Sequence, residues 1–168
     1  AGTITYGGGC SSDNTSATTG NNTITFTTFS DGTYSCNIYV TSSTGVKGNT
    51  LSVTSFTVDT TGPTLSEVTA VTTPNNVTSP SYSFSSNEAG TISYGGSCSS
   101  GTTSASSGTN SISFNNLSED SYSNCTIRVT DSLGHDSSAL SINTFVVDTT
   151  APTANFTAAT DNLGTVTG

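Results

Sequence analysis

The chain has 168 residues, with 11 acids against two bases and a formal net charge of −9. Only Lys47 and Arg128 could meet phosphates, which argues against a nucleic-acid partner, and no apolar run approaches the roughly 20 residues that span a bilayer, so membrane insertion is not expected. Serine and threonine fill about two-fifths of the chain, charged residues 8%, and Met and Trp are absent. Such a composition resembles disorder. Charge is too sparse to hold a coil open by self-repulsion, however, and the apolar residues are periodic. With Thr, Val, Ile, Tyr and Phe dominating the periodic stretches, the predicted class is all-β.

Read from its first residue, the chain starts twice. AGTITYGGGCSS at Ala1 returns as AGTISYGGSCSS at Ala89. Tyr6 aligns with Tyr94, Cys10 with Cys98, Phe26 with Phe114 and Tyr34 with Tyr122. One residue is then inserted, and Cys36 aligns with Cys125, Val40 with Val129, Phe56 with Phe145, Asp59 with Asp148 and Pro63 with Pro152. A period of 88 to 89 residues matches one β-sandwich module and is too long for a solenoid repeat.

In chain order, the complete repeat predicts strands over 64–71, 81–86 and 90–94, a weak one near Ser104, then 110–114, 123–130 and 140–147. That approaches the seven of an immunoglobulin-like sandwich. In SNCTIRVT, Cys125, Ile127 and Val129 share one face, and Thr126 and Arg128 the other. SCNIYVT repeats this with Cys36, Ile38 and Val40. In the last strand Leu140 and Ile142 are out of phase with Phe145 and Val147, as Leu51 and Val53 are with Phe56 and Val58. A bulge near Asn143 and Thr54 is the expected repair.

The predicted organisation is residues 1–59 as a first unit lacking its N-terminal strands, 60–148 as a complete unit, and 149–168 as the first strand or strands of a following unit. The alternative for 149–168 is a donor strand closing the open unit of a neighbouring chain. Each unit carries two cysteines at equivalent places. Pairing Cys10 with Cys36 and Cys98 with Cys125 keeps each bridge inside its unit, and no unit has four Cys or His at zinc spacing. Disulfides place the chain in an oxidising, extracellular setting. With no Trp to pack beside it, the bridge is expected to link neighbouring strands of one sheet.

FTVDTTGPT and FVVDTTAPT resemble the unit-ending D-x-T-x-P signature of bacterial Ig-like tandem repeats. SFSSNEAGTISY resembles their S-x-x-E-x-G-T segment, VTDSLGHDSSAL their strand turn, and TDNLGTVTG is similar to sequence found in these arrays. The likeness covers essentially the whole chain. It implies tandem immunoglobulin-like sandwiches in the extension region of a large bacterial surface adhesin or biofilm-associated protein. The Cys pair, His135 in the usual Asn place and Ser42 in place of Asp131 depart from the pattern. The resemblance also implies calcium at module junctions. The carboxylate and amide oxygens on offer are Asp59 with Asn87 and Glu88, the loop acids Glu119 and Asp120, and Asp148 with Asp161. The plain alternative is that Asp59 and Asp148 close turns ahead of Pro63 and Pro152.

Other motifs carry little. His135, the single histidine, adjoins Asp136 and Ser137 in a predicted turn, and adjacent residues cannot form a triad. Six Asn-x-Ser/Thr matches are what this composition yields by chance. GGGC and GGSC lack the Lys and helix of a phosphate loop. No catalytic residue is expected. The sequence therefore reads as a non-enzymatic extracellular stalk or filament module whose partners are neighbouring units of the same or identical chains. The alternatives are a filament subunit joined by strand donation and a glycan- or protein-binding module.

Overall fold

The alternation of Thr and Ser with Val, Ile, Tyr and Phe folds into fifteen strands, with no helix among the described residues. The computed structural model describes residues 1–156, so the predicted segment 149–168 is described only to Phe156. No helix among those residues is long and apolar enough to cross a membrane. The chain divides into two compact units, Ala1–Gly62 with Leu133–Asp136, and the remainder from Pro63 onward.

In the first unit the strands are β1 (Gly2–Gly7), β2 (Ser16–Ala17), β3 (Gly32–Tyr34), β4 (Asn37–Ser42), β5 (Leu51–Ser52) and β6 (Phe56–Val58). They make a sheet of order β2-β1-β4-β5 and a separate pair, β3-β6. In the second unit they are β7 (Leu65–Thr69), β8 (Ser81–Ser86), β9 (Gly90–Gly95), β10 (Ser104–Ala105), β11 (Gly108–Ser113), β12 (Asp120–Tyr122), β13 (Thr126–Thr130), β14 (Leu140–Ser141) and β15 (Phe145–Val147). These give sheets β10-β9-β13-β14 and β11-β8-β7, and the pair β12-β15. Every pairing between named strands is antiparallel.

The predicted face of β13 is observed. Cys125, Ile127 and Val129 are 2%, 0% and 0% exposed, while Arg128 points out. Ile92 of β9 lies opposite Val129. Tyr82 and Phe84 of β8, Ile112 of β11 and Phe145 and Val147 of β15 join them in one core, so both sheets bury their inner faces against each other, as in a β-sandwich.

The phase break in the last strand has a different origin from the expected bulge. β14 pairs with β13, whereas β15 pairs with β12. The chain changes sheet between residues 142 and 144, so the inward direction changes with it. Ile142 and Phe145 are both buried although their parity differs. β5 and β6 repeat the switch, pairing with β4 and β3. The expected single strand 123–130 is likewise preceded by a separate one, β12.

Both predicted disulfides form. Cα–Cα separations are 5.6 Å for Cys10–Cys36 and 5.3 Å for Cys98–Cys125. Each ties residues flanking two neighbouring strands, β1 with β4 or β9 with β13. With partners 26 and 27 positions apart in sequence, each loop closure stabilises by about 3–4 kcal/mol in the chain-entropy picture. Gly8 and Gly96 make the approach to the cysteines. Both have a φ of +74°, and a Cβ there would overlap the carbonyl oxygen of Ser35 or Asn124.

The core of the second unit is closed and that of the first is not. Phe145 is 1% exposed, but its counterpart Phe56 is half-buried. Phe145→Ala is expected to cost about 3–5 kcal/mol, and Phe56→Ala less than half as much. Denaturant unfolding followed by NMR probes in each unit measures both, and equal losses would contradict the burial difference.

Candidate functional site

A linker of sequence Asp-Thr-Thr follows β6 and again follows β15. In the first unit, the Thr61 backbone N–H donates to Asp59 Oδ1 at 3.2 Å. In the second, the Thr150 N–H donates to Asp148 Oδ1 at 3.1 Å. Asp59 and Asp148 thus close the same turn onto their own backbone.

A second acid holds each linker from the side. β3 pairs with β6, and β12 with β15. The residue just ahead of β3 is Asp31 and that ahead of β12 is Glu119, so the pairing delivers each carboxylate to the threonines. Asp31 Oδ1 accepts from the Thr60 backbone N–H at 3.0 Å and from the Thr60 hydroxyl at 2.7 Å, and its Oδ2 accepts from the Thr61 hydroxyl at 3.3 Å. Glu119 Oε2 accepts from the Thr149 hydroxyl at 3.0 Å. The Thr150 hydroxyl reaches Glu119 Oε1 at 2.9 Å and Oε2 at 2.8 Å. The Thr150 and then the Thr149 hydroxyl hold the Glu119 carboxyl below the ordinary carboxylate range.

A tyrosine completes each corner. The Tyr34 hydroxyl donates to the Ser30 carbonyl at 2.8 Å, and the Tyr122 hydroxyl to the Ser118 carbonyl at 3.0 Å. Their rings stack on Phe56 and Phe145, with centroids 5.8 Å and 5.2 Å apart. The ring anchors the loop carrying the acid, and the acid anchors the linker.

Of the residues offered to calcium, Glu119 and Asp148 are brought to one place, sharing Thr150. Asp59 closes its turn, and Asp120 accepts from the Ser121 N–H at 2.7 Å. Asn87 Oδ1 accepts from the Thr64 N–H at 2.6 Å, and its amide donates to Glu88 at 2.9 Å. Asp161 lies outside the described residues. The carboxylates at the two linkers therefore already have donors within the chain. Asp31 was missed as a site residue. Its alignment with Glu119, immediately ahead of GTY and DSY, was the signal that could have found it.

Lys47 of the first unit stands where the second unit has Asp136. Lys47 Nζ sits 3.8 Å from the centroid of the Tyr39 ring, a cation–π contact. The counterpart of Tyr39 is Arg128, whose guanidinium donates to the Ser137 carbonyl at 2.9 Å. The cation has changed strand position between the two units.

Comparison of the chain with protein-family descriptions and with curated proteins yields no match.

The Glu119 clasp sets a pH dependence. Its carboxyl is held below the ordinary value of 4.5 in the folded chain. The stability it contributes is complete above that ordinary value and is lost as pH falls through the depressed folded value. Side-chain NMR titration of Glu119 is expected to give a midpoint below 4.5 that returns toward it in a Thr149→Val, Thr150→Val variant. A wild-type midpoint at or above the ordinary value contradicts the clasp.

Proposed function

We propose that the chain is a segment of an extracellular stalk built from tandem immunoglobulin-like sandwiches, of the bacterial adhesin or biofilm-associated kind, with a mechanical rather than catalytic role. The strand orders of the second unit support the immunoglobulin-like reading. β7-β8-β11 and β10-β9-β13-β14 correspond to sheets A-B-E and C′-C-F-G, with β15 continuing the last strand. Tyr34 lies two residues ahead of Cys36, and its bond back to Ser30 is that of a tyrosine corner. Tyr122 repeats it three residues ahead of Cys125, the extra residue being the one inserted in the repeat. The two disulfides suit a non-reducing compartment, which agrees with a surface location.

The observation that carries the mechanical reading is the recurrence of the same clasp, acid to Thr-Thr, at the end of both units. A hinge of small hydroxyl residues would otherwise rotate freely. Here its backbone and side-chain donors are held by carboxylates of the preceding unit, which restricts the direction in which the chain leaves. Solvent screening keeps each bond weak in stability terms, so its consequence is orientation.

Small-angle scattering tests this on the whole chain. Asp31→Ala is expected to broaden the distance distribution while leaving the melting temperature within a few degrees of wild type. An unchanged distribution argues against a stiffened linker. Calcium at the junctions is a separate proposal. A melting temperature that EDTA does not lower and added Ca²⁺ does not raise removes it, and the clasp stands without an ion.

A further inference from the structure

The first unit leaves half-buried an aromatic face whose equivalent in the second unit is buried inside that unit's own core. Phe114, Ile112, Phe145 and Tyr122 are 2%, 2%, 1% and 8% exposed. Their counterparts Phe26, Ile24, Phe56 and Tyr34 are all half-buried. The rings of the first unit pack on one another, with Phe29 centred 4.4 Å from Tyr34 and 5.2 Å from Phe56. None of these five residues, Ile24, Phe26, Phe29, Tyr34 and Phe56, is fully buried.

The covering element in the second unit is β8. Tyr82 and Phe84 are both 0% exposed, and the Tyr82 ring lies 6.3 Å from Phe114. β8 also hydrogen-bonds β11 from Gly108↔Ser86 to Ser113↔Ser81. The segment equivalent to β11 is residues 20–25. It forms no strand, although its sequence alternates in the same way. Its bonds run to neighbouring loop residues instead: Ser12 Oγ donates to the Thr25 carbonyl at 2.6 Å, Asn14 Nδ2 to the Thr23 carbonyl at 3.3 Å, and the Asn22 amide exchanges bonds with the Thr18 backbone at 2.9 and 3.0 Å.

We propose that this face is a strand acceptor. Its occupant is an antiparallel strand pair of the β7-β8 kind, with an aromatic-x-aromatic inner strand, linked in the same polypeptide ahead of β1. The register follows from β8 on β11: the inner strand runs antiparallel to 20–25, its first aromatic opposite Ile24 and its second opposite Asn22. Two observations choose this source. β8 reaches β9 across residues 87–89 only, so a strand in the β8 position ends where β1 starts. The equivalent strands of a second copy are locked in their own core, with Tyr82 and Phe84 fully buried, and could be lent only by unfolding it. The inference rests on the repeat itself and not on the stalk reading.

The test places a copy of residues 61–88 directly ahead of Ala1 in the 168-residue chain. Amide exchange in residues 20–25 is expected to slow by at least about tenfold, the effect of burying one large side chain or more. Unchanged protection of β13 shows that the chain is folded. A second version carries Tyr82→Ser and Phe84→Ser in the copied segment alone, and is expected to lose the slowing. Absence of slowing in the first version, or equal slowing in the second, overturns the proposal. It is also overturned if the unextended chain, concentrated, protects residues 20–25 equally while forming dimers, because the occupant is then a second copy. None of these outcomes bears on the scattering test of the linker.

Discussion

The packing of Tyr82 and Phe84 of β8 against the opposite sheet accompanies the full burial of Ile112, Phe114, Ile127, Val129 and Phe145, whereas Ile4 and Ile92 are equally buried in the two units. Hydrophobic residues make up only 30% of the chain, so no unit has apolar side chains to spare. The two units act as a natural comparison. Their β1-β4 and β9-β13 pairs share register, disulfide position and inward residues. Yet Ile38 and Val40 are half-buried where Ile127 and Val129 are fully buried. Alternation in a strand sets which side chains point inward, and a second sheet over them decides whether that direction excludes water.

The same constraint explains what could be read from the sequence. The repeat, the cysteine pairing and the inward face of β13 depend on local spacing, and the structure has them where spacing placed them. The sheet switch between residues 142 and 144 was misread as a bulge because parity alone cannot tell a lost residue from a change of partner. Residues 22–27 alternate as well as any strand in the chain and form none among the described residues, because a strand is stabilised by its neighbours more than by its own propensity. The short β12, Asp120–Tyr122, lies ahead of the expected strand 123–130 and was not expected, since three residues are too few for alternation to show.

The acids around the linkers illustrate a different limit. Aspartate and glutamate near a module boundary suggest an ion when only their charges are visible. The structure adds the neighbouring donors: hydroxyl groups reach Asp31, Asp59 and Glu119, and a backbone N–H reaches Asp148. Asp31 and Glu119 differ by one methylene and still meet equivalent threonines, because the β3-β6 and β12-β15 pairings bring the linker to them. The partner of a given oxygen follows from strand register.

The placement of the sulfur bridges bears on what happens when such a chain is pulled. Each joins residues 26 or 27 apart in sequence whose Cα atoms stay within 6 Å. If a unit were torn open by tension, the segment between its cysteines would remain looped out of the load path. At about 3.4 Å per extended residue, that withholds roughly 90 Å of contour from every unit. Under such a load each unit would lengthen only by the residues outside its bridge, and the loop between the cysteines would stay closed.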